Sequence, residues 1–147
     1  MALTEDLGSL FQVKFGTLQV YTAGATIYRG ATIALRLATG LVYPAILNDS
    51  PDADLNQLIV GYSRSGAIAA ASLTVQREGR VIRNFTGGTP LVGTLACVYD
   101  DETVQAYRAT VGAMNVVVGR ITEVLDATRV YVDFGDRPKR IATSIYD

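Results

Sequence analysis

The chain is 147 residues long, carries thirteen basic and fourteen acidic side chains for a formal charge of -1, and contains no histidine. Hydrophobic residues make up 49% and charged residues 18%, below the roughly 25% usual for soluble chains, so part of the surface is expected to be covered by partners. The balance offers no basic stripe for nucleic acid or an anionic membrane, and the absent histidine removes the commonest general base, nucleophile activator and metal ligand.

The length suits one domain with a single core, and no internal repeat, low-complexity tract or linker is evident. At the N-terminus Leu3, Leu7, Leu10 and Phe11 fall on one helical face, with Thr4, Glu5 and Asp6 placed as capping and the helix dipole favour. Residues 1–16 therefore read as an extended or short-helical arm, either a frayed terminus or a helical turn closing one end of the sheet, or an arm that carries its apolar face onto a neighbouring subunit. The start Met1–Asp6 shows no basic n-region, and no run approaches the ~20 apolar residues of a membrane span, so synthesis in the cytoplasm is expected.

From residue 17 to 134 the pattern has period two, the signature of half-buried strands. Leu18 and Val20 alternate with Thr17, Gln19 and Tyr21, and Ile33, Leu35 and Leu37 with Thr32, Ala34 and Arg36. After Gly40 a short strand runs to Ala45, and its Pro44 favours a strand end or an edge. Asn48 to Asp54 is a polar, turn-rich loop, and Leu58 to Tyr62 is a strand. Leu73 and Val75 mark the next strand, and the turn Glu78-Gly79-Arg80 predicts a hairpin into Val81–Phe85. A second predicted hairpin pairs Leu95–Tyr99 with Thr103–Tyr107 around Asp100-Asp101-Glu102, whose carboxylates are expected to splay into water. Val116–Val124 and Arg129–Phe134 follow, with Val130, Val132 and Phe134 on one face. About ten short strands at this spacing predict an all-β fold, a small β-barrel or β-sandwich. Residues 135–147 form a tail in which Arg137, Lys139 and Arg140 suit an acidic partner surface.

No residue pattern assembles a catalytic centre, cofactor site or metal site. Cys97, the single cysteine, lies in an apolar run and is expected to be buried and inert. Asp49, Asp52 and Asp54 lack the glycine and distal glutamate of a calcium loop. The glycines at 61, 66, 87 and 88 do not match a phosphate loop and read as turns. Arg29 beside Tyr28 and Arg108 beside Tyr107 fit surface or interface roles. Eleven arginines against two lysines, together with eight tyrosines, suit protein contacts, since both side chains offer large, partly rigid surfaces.

The run Gly24-Ala25-Thr26-Ile27-Tyr28-Arg29-Gly30-Ala31-Thr32-Ile33-Ala34-Leu35, then Gly40-Leu41-Val42-Tyr43-Pro44-Ala45, resembles the opening of small capsid decoration proteins of tailed bacteriophages. Leu58-Ile59-Val60-Gly61, Gly79, Gly93-Thr94-Leu95, Tyr99 to Val104, Val118-Gly119-Arg120-Ile121 and Val130-Tyr131-Val132-Asp133 follow in the same order. The resemblance covers residues 17–134 and implies a β-barrel or sandwich that forms a homotrimer on the outer face of an icosahedral shell. There it would cement neighbouring copies of the major capsid protein as part of the virion, and the family has no catalytic residues to carry over. Residues before Thr17 and after Phe134 match nothing in that pattern. Two other readings stand beside it: a ring-forming tail or head-completion protein, and a carbohydrate- or small-ligand-binding β-sandwich.

Overall fold

A computed structural model describes residues 18–47, 57–110 and 115–136. They are all-β, with ten strands: β1 (Leu18–Thr22), β2 (Thr32–Arg36), β3 (Val42–Pro44), β4 (Gln57–Ser63), β5 (Ser72–Gln76), β6 (Arg80–Thr86), β7 (Leu95–Val98), β8 (Thr103–Ala106), β9 (Val117–Asp126) and β10 (Arg129–Asp133). The strands form two units. In the first, a five-stranded sheet in the order β1-β5-β4-β2-β3 has its outer strands joined by one parallel bridge, Ala23 to Val42. The second is a closed barrel in the order β10-β6-β8-β7-β9.

The two units have the same connectivity. Adding five to each strand number of the first sheet reproduces the order around the barrel, including the parallel contact of β1 with β3, which becomes β6 with β8. The correspondence reaches single residues. The pairing of β2 with β4 slips just after Ile33–Gly61, and that of β7 with β9 slips just after Ala96–Gly119. Both glycines are required for the same steric reason: a Cβ at Gly61 would collide with the carbonyl oxygen of Gln76, and one at Gly119 with that of Asp133. Gly61 is thus a close-approach point inside a strand rather than the expected turn.

Hydrogen bonds repeat as well. Gly30 N donates to Ser63 O at 2.9 Å and Ser63 N to Ala31 O at 2.9 Å; Gly93 N donates to Ile121 O at 2.8 Å and Ile121 N to Thr94 O at 2.9 Å. The chain therefore contains an internal repeat that alternation of apolar residues alone does not reveal. Only a few of the matched positions keep the residue type, and the offset between matched residues shrinks from 63 at Gly30 and Gly93 to 57 at Gln76 and Asp133 because the turns differ in length.

The expected single core resolves into two clusters. Ala23, Ile27, Ile33, Val42, Val60, Leu73 and Val75 fill the first unit. Phe85, Ala96, Val98, Val104, Val118, Ile121, Val130, Val132 and Phe134 fill the barrel, and Ala34, Ala45 and Ile59 from the outer side of the first unit join them. Strand β2 explains the arrangement: Ile33 enters its own core while Ala34, on the opposite face, packs on the barrel, so both faces are buried.

Several strand expectations hold, including the β7–β8 hairpin around Asp100–Glu102, Pro44 at the end of β3, and the inward face of Val130, Val132 and Phe134. The hairpin predicted through Glu78-Gly79-Arg80 does not form. Strand β5 pairs with β1 and β4, and β6 with β10 and β8, so this turn is the passage from one unit to the next. Leu18 and Val20, expected on a buried face, stand outward at 42% and 63% exposure, and Leu37 lies in an exposed turn beyond β2. In β1 the inward positions are Tyr21 and the following Ala23, so the apolar alternation of Leu18 and Val20 marks the outer side.

Candidate functional site

The seam between the two units opens into a groove of about 620 Å³. One wall is the turn Tyr28–Ala31 of the first unit, and the other is Ile82–Asn84 of β6 with Asp101 and Glu102 from the β7–β8 turn. The turn exists because Gly30 adopts a φ of +90°, a conformation costly for other residues, which lets Ala31 N return to Tyr28 O at 3.2 Å.

Arg83 forms the floor. It occupies an inward position of β6, between Val81 and Phe85, and is only 5% exposed. Its guanidinium has five N–H donors; Nε donates to Thr32 Oγ1 at 2.9 Å, Nη2 to Gly30 O at 2.6 Å and Nη1 to Ile82 O at 3.1 Å. The plane lies 5.4 Å from the centre of the Phe134 ring. Burial brings its pKa down to about 10, against the opposing pull of Asp101 and Glu102. Two of these bonds cross to the first unit, so Arg83 is a clamp between units. The sequence holds a sign of this, an arginine at an apolar-face position of an alternating strand, but nothing in the pattern says what the guanidinium meets.

The acidic turn reinforces the same seam. Its main chain takes hydrogen bonds from the first unit, Thr32 N to Asp101 O at 2.7 Å and Leu47 N to Tyr99 O at 2.9 Å, while Asn84 N binds Glu102 O at 3.0 Å. Asp100 and Asp101 are consequently half-buried, which departs from the expectation of a fully solvated tip. Edge-on packing of Tyr62 against Phe134, 5.3 Å between ring centres, completes the joint.

The other candidate residues are dispersed. Cys97 is fully buried in β7, and desolvation pushes its thiol up to about 12, so it is not a nucleophile at neutral pH. Tyr28 stands 74% exposed at the rim, and its neighbour Arg29 is exposed. Asn115 bonds the backbone of Arg108 twice, accepting from Arg108 N at 2.9 Å and donating to Arg108 O at 2.7 Å. Among the described residues no three acidic, cysteine or histidine side chains come together as a metal site, and no carboxylate is buried. No described helix is long and apolar enough to cross a membrane. The predicted interface residues Leu3, Leu7, Leu10, Phe11, Arg137, Lys139 and Arg140, like the acidic loop at 49–54, lie outside the described residues.

Fold and groove together define a β protein built from two copies of one five-stranded unit, clamped by a buried arginine. No protein-family model matches the chain, and no curated protein matches it either.

Proposed function

We propose that the protein is a structural component of a bacteriophage virion that binds the outer capsid surface and cements neighbouring major capsid subunits, acting as a homotrimer. One observation carries this reading: large apolar side chains stand uncovered on a firmly joined two-unit block. Tyr28, Ile68, Leu37, Val20 and Val92 are 74%, 71%, 64%, 63% and 63% exposed. Side chains of this size scattered singly are ordinary, but several on both units of a charge-poor chain fit a protein whose surface is covered in use. A trimer would join several modest contacts into one tight attachment, so strong affinity per chain is unnecessary. The resemblance of the order of glycines and apolar runs over residues 17–134 to decoration proteins supports the same assignment.

The test is co-sedimentation with empty, undecorated shells of the phage. Saturable pelleting at a fixed ratio to the major capsid protein is expected, and protein left in the supernatant at every shell concentration overturns the reading. A ring-forming tail or head-completion component is the second reading, favoured by the repeated unit, because repeated units suit rings. Light scattering separates the two, with three chains expected for decoration and six for a tail ring.

A further inference from the structure

The contact between the two units has an exposed counterpart on each unit among the described residues. Within the chain, the turn Tyr28–Ala31 of the first unit meets Ile82, Arg83 and the β7–β8 turn of the second. The repeated hydrogen bonds make Leu91–Thr94 the equivalent of that turn, with Gly93 at a φ of +89° in place of Gly30 at +90°. On the other side, the pairing of Leu18 with Gln76 and of Arg80 with Asp133 makes Val20 the equivalent of Ile82 and Tyr21 the equivalent of Arg83. Leu37 stands four residues after Ile33, as Asp100 stands four after Ala96, and so occupies the place of the acidic turn.

Three of the charged positions at the internal seam are replaced by uncharged, largely apolar residues at their counterparts. Where the internal seam has Arg29, Arg83 and Asp100, the free counterparts have Val92, Tyr21 and Leu37. Leu91 and Val92 are 60% and 63% exposed on the second unit, and Val20 and Leu37 are 63% and 64% exposed on the first. A polar, charged seam within the chain thus corresponds to two apolar surfaces that no described residue covers.

We propose that a second copy of this chain fills this gap: the turn Leu91–Thr94 of one copy docks on Val20, Tyr21 and Leu37 of the next, continuing the internal head-to-tail contact between copies. The two surfaces differ, so the interface is heterologous, and repetition closes a ring when the rotation permits. The contact is smaller than the internal one. Cys97 and Val117, counterparts of Ala34 and Ile59, are already buried, so only the turn is free to engage. Small contacts are weak, and assembly should depend on concentration. None of this depends on what the assembly binds.

The test is light scattering on the full chain over a concentration series, with Leu91→Glu altering the turn and Leu37→Glu altering the receiving surface. Both positions are exposed, and circular dichroism verifies that the variants fold. The expected result is an oligomer for the parent chain, a monomer for each variant, and a dimer of twice the monomer mass when the two variants are mixed, because each retains the half that the other lacks. A parent chain that is monomeric throughout, variants that keep the parent mass, or a mixture that stays monomeric overturns the proposal. A monomeric chain that still pellets with shells would refute this interface and the trimer, and leave only the capsid binding standing.

Discussion

Replacing Arg83 with methionine removes the guanidinium that bonds Thr32 and Gly30 across the seam while keeping an unbranched apolar stem in the barrel. Hydrogen bonds from a charged donor contribute about 1.5–3 kcal/mol each, so the three bonds of Arg83 represent about 4–9 kcal/mol before desolvation. Burial opposes the charge and lowers its pKa to about 10, against the pull of the nearby carboxylates, and the variant no longer carries that desolvation cost. Methionine recovers a further kcal/mol or so by apolar burial, on the order of ~25 cal/mol per Å². The net expectation is a loss of about 2 kcal/mol, seen as a lower urea midpoint and a Tm lower by about 6 °C for a chain of this size. Arg83→Lys keeps the charge but not the fork, and should fall between the two. An Arg83→Met variant as stable as the parent would refute the clamp, because buried charges can be exchanged for apolar groups without loss when they hold nothing in place.

Gly61→Ala and Gly119→Ala should each destabilise by about 3 kcal/mol, since overpacking against a backbone carbonyl cannot be relieved by a rotamer change. Gly61 should be the more sensitive because its φ of +147° adds strain, and neutral behaviour of both in denaturation would contradict the shared close approach. Cys97 should resist a disulfide reagent at pH 8 in the native protein and react fully in urea. Its folded pKa of about 12 lies above the ordinary 9.0, so its contribution to stability is complete below pH 9 and is lost as pH rises toward 12. Arg83, whose folded pKa is lowered to about 10, contributes a slope of opposite sign above pH 10, so the Cys97 part is read as the parent-minus-Cys97→Ala difference, which should fall by about 1.4 kcal/mol per pH unit between pH 9 and 10. An unchanged slope in that variant would assign the pH dependence to other groups.

Strand positions were legible in the sequence because alternation is a direct consequence of the pleat. The internal repeat was not, because it is preserved in bulges, turn hydrogen bonds and close glycine contacts rather than in residue identity. Val60-Gly61 and Val118-Gly119 are the clearest matching words, and they lie 58 residues apart inside otherwise ordinary apolar runs. The false hairpin at Glu78-Gly79-Arg80 has a related origin: a turn sequence shows that the chain changes direction, not which neighbour the next strand will pair with. Period two was also read with the wrong sign in β1, where Leu18 and Val20 point outward. Of the candidate site, only the burial of Cys97 and the unusual position of Arg83 could be traced to the sequence. The groove and its clamp depend on how two similar units meet, which strand patterns do not encode.

The proposed reinforcement of a shell is tested most directly by the temperature at which undecorated, DNA-filled shells rupture, read as dye access to the packaged DNA. Adding the protein should raise that temperature in a saturable manner, with saturation at the ratio found by co-sedimentation. An unchanged rupture temperature with the protein bound would contradict cementing, and an unchanged temperature with no protein bound would remove the capsid assignment altogether.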